Sequence, residues 1–410
     1  MSTRGSTQRV SEQENRLEQE EVRLERDVNE PEVTSIPVEQ TPETVEEEYK
    51  EESPSVPPLR PRPAFLYIGP VFASLIVFSM IGVLVRVFLT RLFTYNGEPI
   101  YGLIWTQMVG CFIMGIATRT KGILMRYSPA LNVGVTTGLC GSITTFSSWQ
   151  LLVFVQFFNT ARHDHTRFKN FLGGMSVLVS TLACSMGAFY LGQIIGCELR
   201  LLYGVHLRRT KPEPDPLYRI DTTLLGGRPS SIRRGWIGWN EWRSVDLALG
   251  IIGILVITAS VIVVALARST RSVSIALLFG CVGTLLRWRL ASLNRGSNRV
   301  ERLLPRFIAD LPLGTFIANV IGSAVLAIIH VLQTGAVIQP SASSCYVLTA
   351  VADGFCGCLT TVSTFAAELS ALKPRRSMAY AVVSIVATQA FFILIPGIYF
   401  KTATVDYPVC

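Results

Sequence analysis

The strings GLCGSITTFSSW, residues 138–149, and GFCGCLTTVSTF, residues 354–365, are two copies of one Gly-rich pattern. They share six of twelve letters, at G, C, G, T, T and S, and begin 216 positions apart. Both strings interrupt segments that otherwise have the composition of a membrane helix. Gly is conformationally permissive and Thr side chains compete for backbone carbonyls, so each string predicts a break in its helix.

A helix break inside the bilayer frees carbonyl groups that lipid cannot satisfy, so it must be buried or face water or an ion. A single copy is equally consistent with a packing notch that lets two helices approach closely. Two copies in inverted repeats would meet near the midplane, where converging carbonyls can hold a small cation such as Na⁺. The duplication therefore favours ion binding.

The composition is that of a polytopic membrane protein. The 410 residues are 49% hydrophobic, with a mean hydropathy of +0.40, which is too apolar for an ordinary soluble domain. Residues 1–63 hold 16 acidic and 8 basic side chains, leaving 13 acidic and 29 basic ones in residues 64–410. Because the basic residues cluster in loops, they indicate orientation against lipid and no nucleic-acid partner.

Nine apolar segments are long enough to cross the bilayer and predict an all-α fold of four, one and four spans. They cover residues 65–92, 100–117, 131–158, 171–196, 245–266, 273–292, 311–333, 345–371 and 377–400. The resulting parts are a disordered acidic cytosolic tail, 1–63; a first four-helix repeat, 64–197; a basic cytosolic linker, 198–244; a linker transmembrane helix, 245–267; a second, inverted four-helix repeat, 268–400; and a short extracellular tail, 401–410.

Basic loops predict the orientation of these spans. With the N-terminus inside, the loops after spans two, four, six and eight are cytoplasmic and rich in Lys and Arg, whereas the loop NTARHDHTRFKN after span three is a local exception. Residues 1–63 contain no apolar leader segment, so the first span must direct insertion. Because one odd span connects the repeats, the second repeat starts from the opposite side, and the repeats are inverted.

Three further features recur in the same order in both halves, which supports an internal repeat. They are Gly82-Val-Leu-Val-Arg86 with Gly283-Thr-Leu-Leu-Arg287, Gln107-Met-Val-Gly110 with Asn319-Val-Ile-Gly322, and the four-residue stripe Ser176, Ser180, Cys184 with Tyr380, Ser384, Thr388.

Polar groups at membrane depth predict a path for an anion. The amide of Asn319 and the hydroxyls of Tyr380, Ser384 and Thr388 form a file of donors that can replace water around an anion. Interhelical hydrogen bonding, worth about 0.6 kcal/mol on average, is the alternative for any one of them.

Aromatic residues follow each predicted break: Phe146 and Trp149 in the first repeat, and Phe365 in the second. Ring edges are electropositive and can coordinate an anion without the full charge that would trap it. Taken alone, such residues are more often part of a packed core.

Charged groups near the span ends have two interpretations each. Arg86 and Arg287 either attract anions into a vestibule or extend to the lipid interface, and Glu368 either lines an entrance or is solvated. The nine cysteines lack metal-ligand or disulfide spacing and predict small apolar helix contacts. Neither paired carboxylates, a catalytic triad nor a phosphate-binding loop is present, so the sequence does not predict an enzyme.

At residues 65–400 the chain resembles the Fluc and FEX fluoride channels, the CrcB-like fluoride exporters, in their fused two-repeat form. The most specific element is the pattern G-x-x-G-x-x-T-T-F-S-T-F, supported by G-x-x-x-R in the first helix of each repeat and N-x-x-G in the second. The resemblance implies a structural Na⁺ held by backbone carbonyls. It also implies two antiparallel pores, each with the first phenylalanine of the pattern from one repeat and the second phenylalanine from the other repeat. The implied carbonyl ligands are those of Gly141, Thr144, Gly357 and Thr360.

This chain departs from the family pattern on one side only. Phe146 pairs with Phe365, whereas the other pore would pair Trp149 with Val362. Asn319, Tyr380 and Glu368 are kept in one repeat, and their counterparts are Gln107, Ser176 and Leu152. We therefore predict one conducting pore and one vestigial pore.

The predicted function is passive export of cytosolic fluoride across the plasma membrane by a single chain that needs no other protein. The N-terminus is predicted to be cytoplasmic and the C-terminus extracellular. Two alternatives are a proton-coupled anion transporter, also built from inverted repeats, and a membrane scaffold or receptor that conducts no ion.

Overall fold

The computed structural model describes residues 65–160, 163–164, 166–210, 244–267, 270–294, 311–334 and 341–402. Within these ranges the regular secondary structure is entirely helical, which confirms the predicted all-α class. The predicted tail 1–63, residues 211–243 of the linker and residues 403–410 lie outside the described part.

The helices of the first half are numbered α1 to α6. They are α1 Phe65–Leu92, α2 Leu103–Arg119, α3 Lys121–Tyr127, α4 with its parts Pro129–Val133, Gly134–Cys140 and Gly141–Ile143, α5 Phe146–Phe158, and α6 Arg167–Thr210. The middle part of α4 is π-helical.

The remaining helices are numbered α7 to α12. They are the linker helix α7 Ser244–Leu266, α8 Arg271–Leu290, α9 Leu313–Gln333, α10 with its parts Ala342–Ala350, Val351–Cys356 and Gly357–Leu359, α11 Ser363–Ala371, and α12 with its parts Pro374–Phe392, Ile393–Gly397 and Ile398–Thr402. The middle part of α10 is π-helical, as it is in α4.

Eight of the described helical segments are long and apolar enough to cross a membrane, or nine if α2 and α3, bent by 77°, count as one span. The chain is therefore a multi-pass membrane protein, and the predicted nine spans correspond to this upper count. Helix α6 runs to Thr210, well past the predicted boundary at residue 196. Leu and Arg favour helix in this extension, and the first proline downstream is Pro212.

Contacts between helices show how the two halves are arranged. Helix α1 packs against α4, α7 and α8, so the first spans of both repeats are neighbours. Helix α5 of the first repeat packs against α9 and α12 of the second, and α11 of the second packs against α2 and α6 of the first. The helix that begins inside each string, α5 or α11, therefore lies against the second and fourth spans of the other repeat.

The linker helix α7 exposes much of its apolar surface, including Ile251, Ile254 and Leu255, as expected of a helix at the lipid boundary. Its buried carboxylate, Asp246, accepts a 2.6 Å hydrogen bond from Ser128 Oγ. The same hydroxyl oxygen accepts from Ala130 N and caps α4. One serine thus joins the linker helix to the start of the helix that carries the first string.

Seven of the described cysteines carry free thiols, and four of these are buried, as the prediction of apolar contacts requires, whereas Cys197 is exposed. Cys345, near the start of α10, is disulfide-bonded. The prediction that no cysteine is paired is therefore wrong at this position. The position of a cysteine in the sequence does not reveal such a bond, because a disulfide depends on which residues the fold brings together.

Candidate functional site

Each string contains a short extended segment between two helices. The turn Gly141–Ile143 ends at Thr144, with φ −89° and ψ 149°, and α5 begins two residues later. In the second repeat Thr360 has nearly the same conformation, with φ −91° and ψ 151°. Both threonines are fully buried.

The first threonine of each break caps a helix of the other repeat. Thr144 Oγ1 donates to Cys140 O in its own repeat and accepts from Ser363 N, at 3.1 Å, at the start of α11. Thr360 Oγ1 likewise donates to Cys356 O and accepts from Ser147 N, also at 3.1 Å, at the start of α5. This reciprocal capping explains physically why both strings carry the threonine.

An amide side chain holds the peptide of the second threonine in each break. Asn319 Oδ1 accepts from Thr361 N at 2.9 Å, and Asn319 Nδ2 donates to Thr361 O at 3.4 Å. Gln107 does the same in the other repeat, accepting from Thr145 N at 3.2 Å and donating to Thr145 O at 2.7 Å. Gln107 thus keeps the backbone contact that Asn319 makes.

Arg86 and Arg287 do not lie in a vestibule or at the lipid interface, because they are only 5% and 4% exposed. Arg287 donates to Gly141 O at 2.7 Å and to Thr137 O at 2.5 Å, both in the first repeat. Arg86 donates to Ser142 O at 2.9 Å and to the carbonyl of Asp353 in the second repeat. Both guanidinium groups satisfy carbonyls around the breaks, which removes the predicted entrance role.

The four carbonyl-bearing residues of the predicted Na⁺ site lie in the two segments that meet here. Gly141, Thr144, Gly357 and Thr360 are all buried, and carbonyl oxygens suit a hard cation. Gly141 O already accepts from Arg287, which uses one of its two lone pairs and leaves the other for a cation. The donor set therefore fits Na⁺.

Phe146 and Phe365 come from different repeats and meet edge to face, with ring centroids 5.2 Å apart and an interplanar angle of 73°. Phe365 also packs against Tyr380, with centroids 5.1 Å apart. All three rings are fully buried. We call the region where α5 packs against α9 and α12 pathway A.

Glu368 is partly buried, and three side chains bind its carboxylate at one end of pathway A. Tyr380 Oη donates to Oε2 at 2.8 Å, Thr315 Oγ1 donates to Oε1 at 2.5 Å, and Asn294 Nδ2 donates to Oε1 at 3.0 Å. Thr315 and Asn294 were not predicted from the sequence. Thr315 precedes Asn319 by four residues, so the helical spacing was an available signal.

The hydroxyl stripe of α12 does not offer three free donors. Tyr380 donates to Glu368, and Thr388 donates to Ser384 O and Ile385 O of its own helix. Ser384 Oγ is buried, and within the described residues it has no hydrogen-bond partner. Of the stripe, Ser384 therefore retains its donor.

The region where α11 packs against α2 and α6, which we call pathway B, is lined differently. Trp149 Nε1 donates to Val177 O at 3.3 Å, and the Tyr101 hydroxyl contacts Val177 O, Ser180 Oγ and Thr181 Oγ1. Val362 and Trp149 are fully buried in the same core. The hydroxyl of Thr181 is thus engaged, in contrast to that of Ser384.

Ser176 is exposed, so its predicted position along pathway B is wrong. The buried stripe of α6 is Val177, Thr181 and Ser185, one residue out of register with the predicted one. Phe189, also buried, continues this stripe as Phe392 continues that of α12. The counterpart of Tyr380 is therefore Val177.

Comparison with known proteins gives the family. The model of the family described as CrcB-like protein, Camphor Resistance (CrcB), matches residues 73–193 and again residues 274–397. The chain belongs to the CrcB-like family. Because the model matches twice, the chain carries two CrcB repeats.

Several named relatives are similar over most of their length. Fluoride export protein 1 of Candida albicans is 28% identical over 346 residues, covering 80% of each chain. Fluoride export protein 1 of Saccharomyces cerevisiae is 27% identical over 372 residues, covering 83% of this chain and 96% of that protein. Fluoride-specific ion channel FluC 1 of Staphylococcus aureus is 30% identical over 118 residues, covering 28% of this chain and 92% of that protein. No solved structure matches the chain.

Proposed function

We propose that this chain is a channel that exports fluoride passively, and that fluoride passes through pathway A. The relatives named above are fluoride exporters and a fluoride channel. The observation that carries the assignment to pathway A is the edge-to-face contact of Phe146 with Phe365, which packs against Tyr380, one turn from the unpaired hydroxyl of Ser384. The chain is proposed to act through this passage rather than by catalysis.

The proposed architecture is a pair of inverted repeats that meet at two broken helices. The odd linker helix α7 supports the inversion, since it returns the chain to the opposite side before the second repeat begins. The reciprocal capping by Thr144 and Thr360 supports a two-fold relation between the repeats, because an exchange of the repeats maps each bond onto the other. One chain thereby supplies both halves, so no partner subunit is required.

The lining of pathway A suits a small dehydrated anion. Ring edges of Phe146 and Phe365 carry positive charge density, and the hydroxyl of Ser384 is a neutral donor. Neutral ligands stabilise the anion without holding it as a full positive charge would. Tyr380 Oη and Thr315 Oγ1, both on Glu368, keep the carboxylate fixed at the end of the path.

The driving force is electrical. Neutral HF crosses lipid and dissociates in a near-neutral cytosol, where F⁻ is trapped. An inside-negative potential then drives the anion outward, with about 2.3 kcal/mol per charge for each 100 mV. We place the channel in the plasma membrane, with the N-terminus in the cytosol and the C-terminus outside. The disulfide at Cys345 supports this orientation, because the start of α10 then faces the oxidising exterior.

Pathway B is proposed to be vestigial. Trp149 and Tyr101 engage Val177 and Thr181 along it, and Val362 replaces the phenylalanine that would complete a ring pair. Gln107 remains because its amide holds the break, which is needed whether or not this side conducts.

Na⁺ is proposed as a structural ion held by the carbonyls of Gly141, Thr144, Gly357 and Thr360. When bound, the ion would neutralise the carbonyl dipoles that the two breaks bring together. Arg86 binds the neighbouring carbonyl of Ser142, and Arg287 shares the carbonyl of Gly141 with the ion, so both arginines add to the stabilisation of the breaks.

Fluoride efflux from proteoliposomes that contain the purified full-length chain tests the function. We expect fluoride efflux when a K⁺ ionophore lets K⁺ leave the liposomes and balance the charge of the departing anion. We also expect little chloride efflux under the same conditions, and a fluoride efflux rate that an imposed pH gradient does not change. An absence of fluoride efflux would contradict the proposal, and efflux that requires a proton gradient would indicate a coupled transporter instead.

A further inference from the structure

Pathway A contains buried donors that the fold leaves unpaired. Gln150 Nε2, Ser323 Oγ and Ser384 Oγ have no hydrogen-bond partner within the described residues. Their side chains are 0%, 0% and 1% exposed. Unpaired buried donors each cost free energy, so three of them in one region require an explanation.

The three side chains lie on three helices that pack against one another. Gln150 is on α5, one turn beyond Phe146; Ser323 is on α9, one turn beyond Asn319; and Ser384 is on α12. Each of these helices contacts the other two. The donors therefore line the same region of the core.

Hydrogen bonds to neighbouring residues show how deep Ser323 and Gln150 lie along pathway A. Glu368 binds Thr315 of α9 and Tyr380 of α12, near the starts of both helices. At about 1.5 Å per residue, Ser323 lies about 12 Å beyond Thr315. Gln389 lies nine residues beyond Tyr380 and donates to Gln150. Because α9 and α12 are spans of the same direction, Ser323 and Gln150 reach a similar depth.

Gln389 determines which end of the Gln150 amide remains free. Gln389 Nε2 donates to Gln150 Oε1 at 2.9 Å and to Gln150 O at 2.8 Å. The side-chain oxygen is thereby bonded to Gln389 through one of its lone pairs, whereas the two N–H groups on Nε2 have no partner within the described residues. The amide therefore presents two unpaired N–H donors, which can bind an anion.

Pathway B has one unpaired donor in place of three, because Ser185 Oγ of α6 is buried and has no hydrogen-bond partner within the described residues. The counterpart of Gln150 is Ala366, that of Ser323 is Cys111, and Thr181, the counterpart of Ser384, is engaged by Tyr101. Within the described residues, pathway A therefore has three unpaired donors on three helices, where the phenylalanine pair is complete, against one on a single helix in pathway B.

We propose that Gln150, Ser323 and Ser384 form a dry fluoride-binding step, beyond the Phe146–Phe365 contact as seen from Glu368, with Ser384 at its near end, one turn beyond Tyr380, and Gln150 and Ser323 deeper along the path. Fluoride is small and accepts hydrogen bonds strongly, so three neutral donors replace part of its hydration shell. Gln389 acts as a positioning residue that turns the Gln150 amide toward the ion. This step rests on the proposed function and adds two ligands, Gln150 and Ser323, to the pathway.

The test compares fluoride efflux from proteoliposomes of the full chain with Gln150→Leu and its matched control Gln156→Leu. Gln156, on the same helix, lies against Gly173 of α6, on the side away from pathway A. We expect Gln150→Leu to slow efflux by about tenfold, as loss of a hydrogen bond to an ion implies, and Gln156→Leu to leave it unchanged. Equal efflux rates for the two variants would contradict the proposal that Gln150 binds fluoride.

Ser323→Ala provides a second test, which applies even if Gln150→Leu does not fold. Because Ser323 Oγ has no partner within the described residues, its removal should leave the melting temperature unchanged or raise it, while the fluoride concentration for half-maximal efflux rises. A purely structural role predicts lower stability and an unchanged concentration dependence, and that result would refute the step. If the wild-type chain itself releases no fluoride, the proposed function fails first.

Discussion

Gly141 and Gly357 are glycines because an arginine of the other repeat lies where a side chain would project. A Cβ on Gly141 would lie 2.1 Å from Arg287 Nη1, and one on Gly357 would lie 2.5 Å from Arg86 Nη1. Neither guanidinium can retreat freely, since both are buried and bonded to backbone carbonyls. The second glycine of each string thus preserves a contact between repeats.

Gly141→Ala should lower the stability of the protein in detergent by about 1–3 kcal/mol, because the methyl group displaces Arg287 from the carbonyls of Gly141 and Thr137. A thermal unfolding curve measures the loss. Gly122→Ala is the matched control, since a Cβ at Gly122 meets nothing within 4 Å. It should be neutral or stabilising by up to about 1 kcal/mol. Indistinguishable curves for the two variants would show that the arginine contact is not needed.

The sequence identified these glycines but misplaced Arg86 and Arg287. Near the end of a span, an arginine that extends to the interface and one that is buried have the same local sequence. Burial depends on carbonyls far away in the chain, such as Gly141 O for Arg287, and only the assembled fold brings them together. Likewise, no local pattern reveals that Gln389 fixes the amide of Gln150.

At the scale of helices, each broken span is completed by the other repeat. Thr144 accepts from the amide of Ser363 at the start of α11, and Thr360 accepts from the amide of Ser147 at the start of α5. An N-terminal amide buried without an acceptor would be costly in the core of a membrane protein. The two strings therefore depend on each other.

Thr360→Val should destabilise the protein by about 1 kcal/mol, the usual cost of a lost N-cap, because Ser147 N loses its acceptor in the other repeat. Thr118→Val is a suitable control, since Thr118 Oγ1 bonds only to Gly115 O of its own helix in the described contacts. Unfolding in detergent measures both. Equal effects would argue against capping between the repeats.

The positions of the helices could be predicted more reliably than which face of each helix is buried. The spans follow from length and apolarity, and the breaks follow from Gly and Thr within them. The buried face of α6 did not follow, because Ser176, Ser180 and Cys184 repeat every four residues just as Val177, Thr181 and Ser185 do. In lipid, an exposed face need not be more polar than a buried one, so spacing alone cannot choose between them.

For the whole molecule, duplication has produced two similar scaffolds with different interiors. The capping threonines, the amide contacts of Asn319 and Gln107 and the arginine contacts are present on both sides. The ring pair and the free donors Gln150, Ser323 and Ser384 are present in pathway A. Elements needed for folding are thus kept twice, whereas those proposed for conduction are kept once.

The most direct test of a single conducting pathway is fluoride efflux from proteoliposomes of one variant in each pathway. Phe365→Ile removes a ring of pathway A, and Tyr101→Phe removes the hydroxyl that engages Thr181 in pathway B. We expect Phe365→Ile to abolish efflux and Tyr101→Phe to retain the wild-type rate. Similar losses in both variants, or full efflux from Phe365→Ile, would contradict the account.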